Sequence, residues 1–99
     1  MTSKTLTIAI DYDETYTAMP IIWDLFMRRC KIAGHRVLIV TMRNEEKSGA
    51  EVKQAIGRKA DDIIFTDYKA KEPVVREHGY KVSIWCDDQP AFIFQDIPH

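Results

Sequence analysis

The sequence predicts an α/β fold, a parallel sheet covered by helices on both faces. Three observations carry this expectation. Short apolar runs rich in β-branched residues recur along the chain, at residues 6–10, 36–41, 62–66 and 82–86. Segments with helical spacing or helix start and stop residues separate them, and such alternation favours parallel strands joined by right-handed crossovers. The first and last apolar runs also end abruptly in acids, at Asp11 and Asp13 and at Asp87 and Asp88.

The first strand sets the pattern. Residues 5–17 read Thr-Leu-Thr-Ile-Ala-Ile-Asp-Tyr-Asp-Glu-Thr-Tyr-Thr. Leu6, Ile8 and Ile10, with Ala9, suit a buried strand that stops at Asp11. Facing alternates every second residue in extended chain, so Asp11 and Asp13 point the same way where that geometry continues. Two carboxylates side by side repel each other and cost desolvation energy. A cation or a shared proton offsets the cost, which makes the pair a metal-binding or catalytic candidate.

The other elements follow in order. Pro20 suits the first turn of a helix over residues 18–34, and Gly34 suits its end. Ile21, Ile22, Leu25, Phe26, Cys30 and Ala33 recur at helical spacing and predict its buried face. Residues 44–57 predict a polar surface helix with Val52, Ala55 and Ile56 inward. Pro73 predicts the opening of a short helix that Gly79 closes, with Val74 and Val75 inward. The apolar tail at residues 91–94 is expected to dock on the body. Trp23 and Trp85 fit core positions, and His35, His78 and His99 lack metal-ligand spacing and read as surface residues.

Ninety-nine residues predict one domain, 1–99. Hydrophobic residues at 45% suffice for a core, but a domain of this size is marginal alone, and a homodimer is one way to bury more surface. A net charge of −1 offers no strong basic field, so bulk attraction to nucleic acid is not expected. Cys30 and Cys86 are far apart and predict reduced thiols in a cytoplasmic protein. No signal-peptide pattern is visible, and no run approaches the ~20 apolar residues of a membrane span.

An apolar strand ending in Asp-x-Asp-x-Thr resembles the first motif of the haloacid dehalogenase (HAD) superfamily of phosphohydrolases. Residues matching that family's three further stations follow in its order: Thr41 ending the second strand, Lys69 or Lys71 near a later helix, and Asp87 with Asp88 ending the last strand. These stations cover almost the whole chain. The resemblance implies a Rossmann-like three-layer sandwich with strand order 3-2-1-4. Ligands in such sheets bind beyond the carboxyl ends of the strands where the order reverses. The intervals from Thr15 to Thr41 and from Thr41 to Lys69 leave no room for a lid domain. The chain is thus similar to small capless members, bacteriophage ones among them, with a site open to solvent on one side. Open members act on bulky phosphates or close the site with a second subunit.

The resemblance also implies a chemistry: a Mg2+-dependent phosphatase. Asp11 is the expected nucleophile, forming an aspartyl-phosphate, and Asp13 the general acid and base. Mg2+ is expected on Asp11, the backbone carbonyl of Asp13, Asp87 and, directly or through water, Asp88. Thr41 and one of Lys69 and Lys71 would hold the phosphoryl oxygens, and Thr15 would brace the loop. Arg43 flanks the site as a candidate substrate contact, and Tyr12 and Tyr16 flank it as substrate contacts or simple shields. The substrate class stays open among nucleotides, nucleic-acid ends, phosphoproteins and small metabolites.

Competing readings are weaker. An EF-hand loop from Asp11 needs Gly where Tyr16 stands and an acid where Ile22 stands. A receiver domain would use Asp67 and leave Asp87 and Asp88 without a role. A HAD-like binding or regulatory protein without turnover is the alternative function.

Overall fold

The protein is described from a computed structural model over residues 4–98. Four parallel strands, β1 (Thr7–Ile10), β2 (Arg36–Thr41), β3 (Asp62–Phe65) and β4 (Ile84–Cys86), form one sheet in the order β3-β2-β1-β4. The helices are α1 (Pro20–Ile32), α2 (Glu45–Ile56), α3 (Lys71–Glu77) and α4 (Ala91–Phe94). Ile10 at the end of β1 lies opposite Ile39 on one side and Cys86 on the other. The residues that follow β1 and β4 are therefore neighbours, although some 75 positions separate Asp11 from Asp87.

The period of two along the strands sorts the core into two clusters. Ile8, Ile10, Val37 and Ile39 pack with Met27 and Cys30 of α1 and with Val52 and Ile56 of α2. Ala9, Leu38, Val40 and Ile64 pack with Val75 of α3. Both faces of the sheet are thus buried, which explains strands that are apolar at nearly every position.

Helix α1 departs from the sequence expectation. Met27 and Cys30 are its buried residues, with Trp23 packed beside them. Ile21 is 74% exposed, and Ile22, Leu25, Phe26 and Ala33 are exposed as well. The physical reason is that two apolar stripes run along this helix. Residues 23, 27 and 30 form one and residues 21, 25 and 32 the other, both at helical spacing. Polar anchors choose between them: Trp23 Nε1 donates to the carbonyl of Thr15 at 2.9 Å, and Tyr16 Oη donates to Asp24 at 2.7 Å.

Helix α2 behaves as its sequence suggests. Asn44 caps it by accepting from the Lys47 N–H at 2.9 Å, and Glu45 and Glu46 sit favourably at its amino end. Gly49 lies against the Phe65 ring, where a Cβ would approach to 3.1 Å. Helix α3 begins two residues before Pro73. A proline is tolerated there because first-turn N–H groups have no helical partner. His35 is half-buried rather than a surface group, because its Nδ1 accepts the Leu6 N–H at 3.0 Å. His78 is exposed, and His99 lies outside the described residues. No described helix is long and apolar enough to cross a membrane.

Candidate functional site

The site forms where β1 ends. The backbone stays extended at Asp11 (ψ 150°) and Asp13 (ψ 131°), then turns left-handed at Glu14 (φ 66°). Alternation therefore continues past the strand. Asp11 and Asp13 both line one cavity, while Tyr12 between them turns into the core. The turn Tyr12–Tyr16 is closed by two N–H groups reaching back five residues, Tyr16 to Asp11 and Thr17 to Tyr12, both at 3.1 Å.

Lys71, at the start of α3, ties β1 to β4. Its ammonium donates to Asp11 Oδ1 at 2.7 Å and to Asp87 Oδ2 at 2.5 Å. The Lys71 and Asp87 side chains are only 4% and 3% exposed. A lysine is almost never buried so completely without paired acids. Lys69 is exposed and does not line the cavity, so Lys71 is the lysine brought to the acids. Two residues along a helix start separate a surface amine from a buried one.

Asp88 stands beside this pair. Thr15 Oγ1 donates to Asp88 Oδ1 at 3.0 Å, and Asp11 Oδ2 lies 3.5 Å from the same hydroxyl. The Gln89 N–H donates to Asp87 Oδ1 at 2.9 Å. Burial pushes the Asp11 carboxyl up to about 7, against the pull of Lys71, with Asp88 and Asp87 adding to the rise. Burial acts upward on Asp88 too, but hydrogen bonds from Asp11 and Thr15 outweigh it and hold that carboxyl below its ordinary value. The two acids thus diverge, Asp11 upward and Asp88 downward from the ordinary carboxylate value.

A second ion pair holds Asp13. Arg43 Nε and one terminal nitrogen donate to its two carboxylate oxygens at 2.9 and 2.7 Å. The other terminal nitrogen donates to the Ser48 carbonyl at 2.9 Å and to Glu51 at 3.1 Å. Ser48 leaves helical geometry within α2 (φ −145°), where its carbonyl is taken by the guanidinium. The guanidinium lies 5.1 Å from the centre of the Tyr12 ring, which stacks on Tyr16. Asp13 in the first place, then Glu51, raises the Arg43 pKa further.

The Tyr12 side chain, a candidate substrate contact or shield of the site, is turned away from the cavity. It is 3% exposed and does not line the cavity. Its position between Asp11 and Asp13 required this, since the alternation that aims the acids outward aims Tyr12 inward. Thr41 lines the cavity floor, 1% exposed, and its Oγ1 lies 3.4 Å from the Arg43 N–H that donates to it. Asp67 is exposed, accepts from Asn44 and stays outside the cavity, which leaves the receiver reading without its acceptor.

The cavity holds about 400 Å³. Several of its walls were not foreseen: Glu14, Met42, Ser48, Tyr68, Gln89 and the tail residues Phe92 and Ile97. Most of these lie in loops at the carboxyl edge of the sheet, so the topology alone points to them. The tail carried no such signal. It is fixed by the Ile97 N–H donating to the Tyr68 carbonyl at 2.8 Å and by Asp96 accepting the Ala70 N–H at 2.7 Å.

The donors fit a hard divalent cation. Oxygens of Asp11, Asp87 and Asp88 lie within 4.8 Å of one another. The Asp13 carboxylate, which Arg43 holds, is not among these side-chain oxygens; the ligand expected from Asp13 is its backbone carbonyl. Comparison with known proteins returns nothing: no protein-family model, no curated protein and no solved structure matches the chain.

Proposed function

We propose that this chain is a Mg2+-dependent phosphomonoester hydrolase of the capless HAD-like type, with a Rossmann-like three-layer architecture. One observation carries the reading: Asp11, Asp87 and Asp88 converge around a buried Lys71 at the carboxyl ends of neighbouring strands. Such a cluster costs folding energy, and a charged ligand is what offsets that cost.

In this reading Asp11 attacks phosphorus and the ester oxygen leaves, giving an aspartyl-phosphate. Lys71 orients the attacking carboxylate through Oδ1 and neutralises charge on the transferred group. Thr41 supplies a hydroxyl to the phosphoryl oxygens from the cavity floor. Thr15 spans Asp11 and Asp88 and holds them in register. Asp13 delivers a proton to the leaving oxygen and later takes one from water. To donate, it must let go of Arg43, which grips both its oxygens. A Mg2+ ion held by Asp11, Asp87 and Asp88 would supply positive charge for the phosphoryl group and keep Asp11 ionised.

The same Arg43 grip favours a second reading, a HAD-like binding or regulatory protein in which Asp13 stays clamped and turnover is absent. Hydrolysis of an aryl phosphate with and without Mg2+ separates the two. The phosphatase reading expects Mg2+-dependent turnover that Asp11→Asn abolishes. It is lost if the wild type is inactive across a phosphomonoester panel, or if Asp11→Asn keeps wild-type rates.

A further inference from the structure

The cavity is two-sided in its chemistry. Beside its acids and Lys71 it is lined by Met42, Tyr68, Phe92 and Ile97, and backbone bonds join the segments of Met42, Tyr68 and Ile97. A volume of about 400 Å³ is that of a small-molecule site, and a phosphate group fills only a fraction of it. The remainder has to receive the alcohol portion of an ester.

Tyr68 is held in place at a cost. Asp67 (φ 53°) and Tyr68 (φ 66°) are consecutive non-glycine residues in the left-handed region. A bulky side chain rarely adopts that conformation, and such outliers cluster at ligand sites. Two backbone bonds pin it: the Tyr68 N–H donates to the Met42 carbonyl at 2.8 Å, and its carbonyl accepts from Ile97 at 2.8 Å. The result joins three separate segments into one wall and leaves the Tyr68 side chain at its edge, with the residue 37% exposed.

We propose that this wall selects phosphate monoesters whose alcohol portion carries a flat, uncharged ring, with Tyr68 and Phe92 as the ring contacts. The proposal rests on the phosphatase reading for the ester chemistry and goes beyond it in naming the substrate class. A flat ring meets aromatic side chains by stacking or edge contact. A second phosphate is disfavoured, because Asp13 and Glu14 line the same cavity and Arg43 is already engaged by Asp13 and Glu51. Met42 and Ile97 offer the hydroxyls of a polyhydroxylated chain no hydrogen-bond partner.

The test compares benzyl phosphate with 3-hydroxypropyl phosphate, both esters of primary alcohols, in the presence of Mg2+. In parallel, calorimetry measures binding of benzylphosphonate and 3-hydroxypropylphosphonate, which cannot turn over. The expected result is a preference for the ring compound of about tenfold or more in both kcat/KM and affinity. Phe92→Ala and Tyr68→Asn, the latter keeping a residue that tolerates the left-handed backbone, bring that ratio close to one. Turnover of both esters at equal efficiency overturns the inference and leaves the phosphatase reading standing. Ring-selective phosphonate binding without turnover of any ester supports the inference and defeats the phosphatase reading. Failure of benzylphosphonate to bind, or a ratio unmoved in both variants, overturns the inference.

Discussion

Replacing Lys71 by Met tests the central geometry without any assumption about catalysis. The substitution keeps length and burial but removes the charge shared by Asp11 and Asp87, at 2.7 and 2.5 Å. Two buried carboxylates are then left facing each other. Removing one partner from a buried ion pair costs about 3–5 kcal/mol. For a domain of this size that is a fall in Tm of at least about 12 °C, measured by thermal unfolding at pH 8 in chelator. The pH dependence has a definite sign. Asp11 is raised from 3.8 to about 7, so its linkage favours folding below pH 3.8, and that contribution is lost as pH rises through 7. Without Lys71 the carboxyl rises further, because the two pulls that lower it are gone. The deficit of the variant is therefore largest at pH 8 and shrinks toward pH 4. Adding Asp87→Asn to the variant returns part of the loss, as does excess Mg2+ by mass action. A Tm within 2 °C of wild type at pH 8 would refute the buried pair and everything built on it.

Three further outcomes are expected. Mg2+ affinity, followed by calorimetry, falls about tenfold per pH unit below 7, because Asp11 must release its proton to bind metal; phosphonate binding in chelator is correspondingly weak. Arg43→Lys loses the two-armed grip on Asp13 and the contact with the Ser48 carbonyl, lowering stability by about 1–3 kcal/mol in urea unfolding. Leu25→Lys on the exposed face of α1 changes stability by less than about 0.5 kcal/mol, whereas Ile39→Ala in the core costs about 2–5 kcal/mol.

The sheet was legible because burial on both faces leaves an unambiguous record: apolar, β-branched runs at every strand. The acids were legible because nothing apolar at a strand end explains them. Helix α1 misled for a physical reason. Helical spacing reports that a stripe is apolar, not which stripe meets the sheet, and the anchors of Trp23 and Tyr16 are tertiary. The choice between Lys69 and Lys71 turned on where α3 begins, and the proline signal at residue 73 places that start two residues late. Tyr12 was within reach, since the period of two applied to Asp11 and Asp13 already turned it inward. The tail wall was not, because the bonds from Ile97 and Asp96 to residues 68 and 70 leave no local pattern.

The charge of the cavity carries the argument one step further. Asp11, Asp13, Glu14, Asp87 and Asp88 line it with only Lys71 and Arg43 to balance them, a net charge of −3 when every acid is ionised. Both cations are already engaged, Lys71 by two carboxylates and Arg43 by Asp13 and Glu51. A phosphate ester, itself an anion, meets repulsion at this mouth, and protonating Asp11 relieves only a third of it. In the proposed reading a divalent cation on Asp11, Asp87 and Asp88 would offset two of the three charges and compete with the Asp11 proton. In that reading electrostatics would favour binding of the cation ahead of the phosphate, with Lys71 remaining the fixed counter-charge of Asp11 and Asp87.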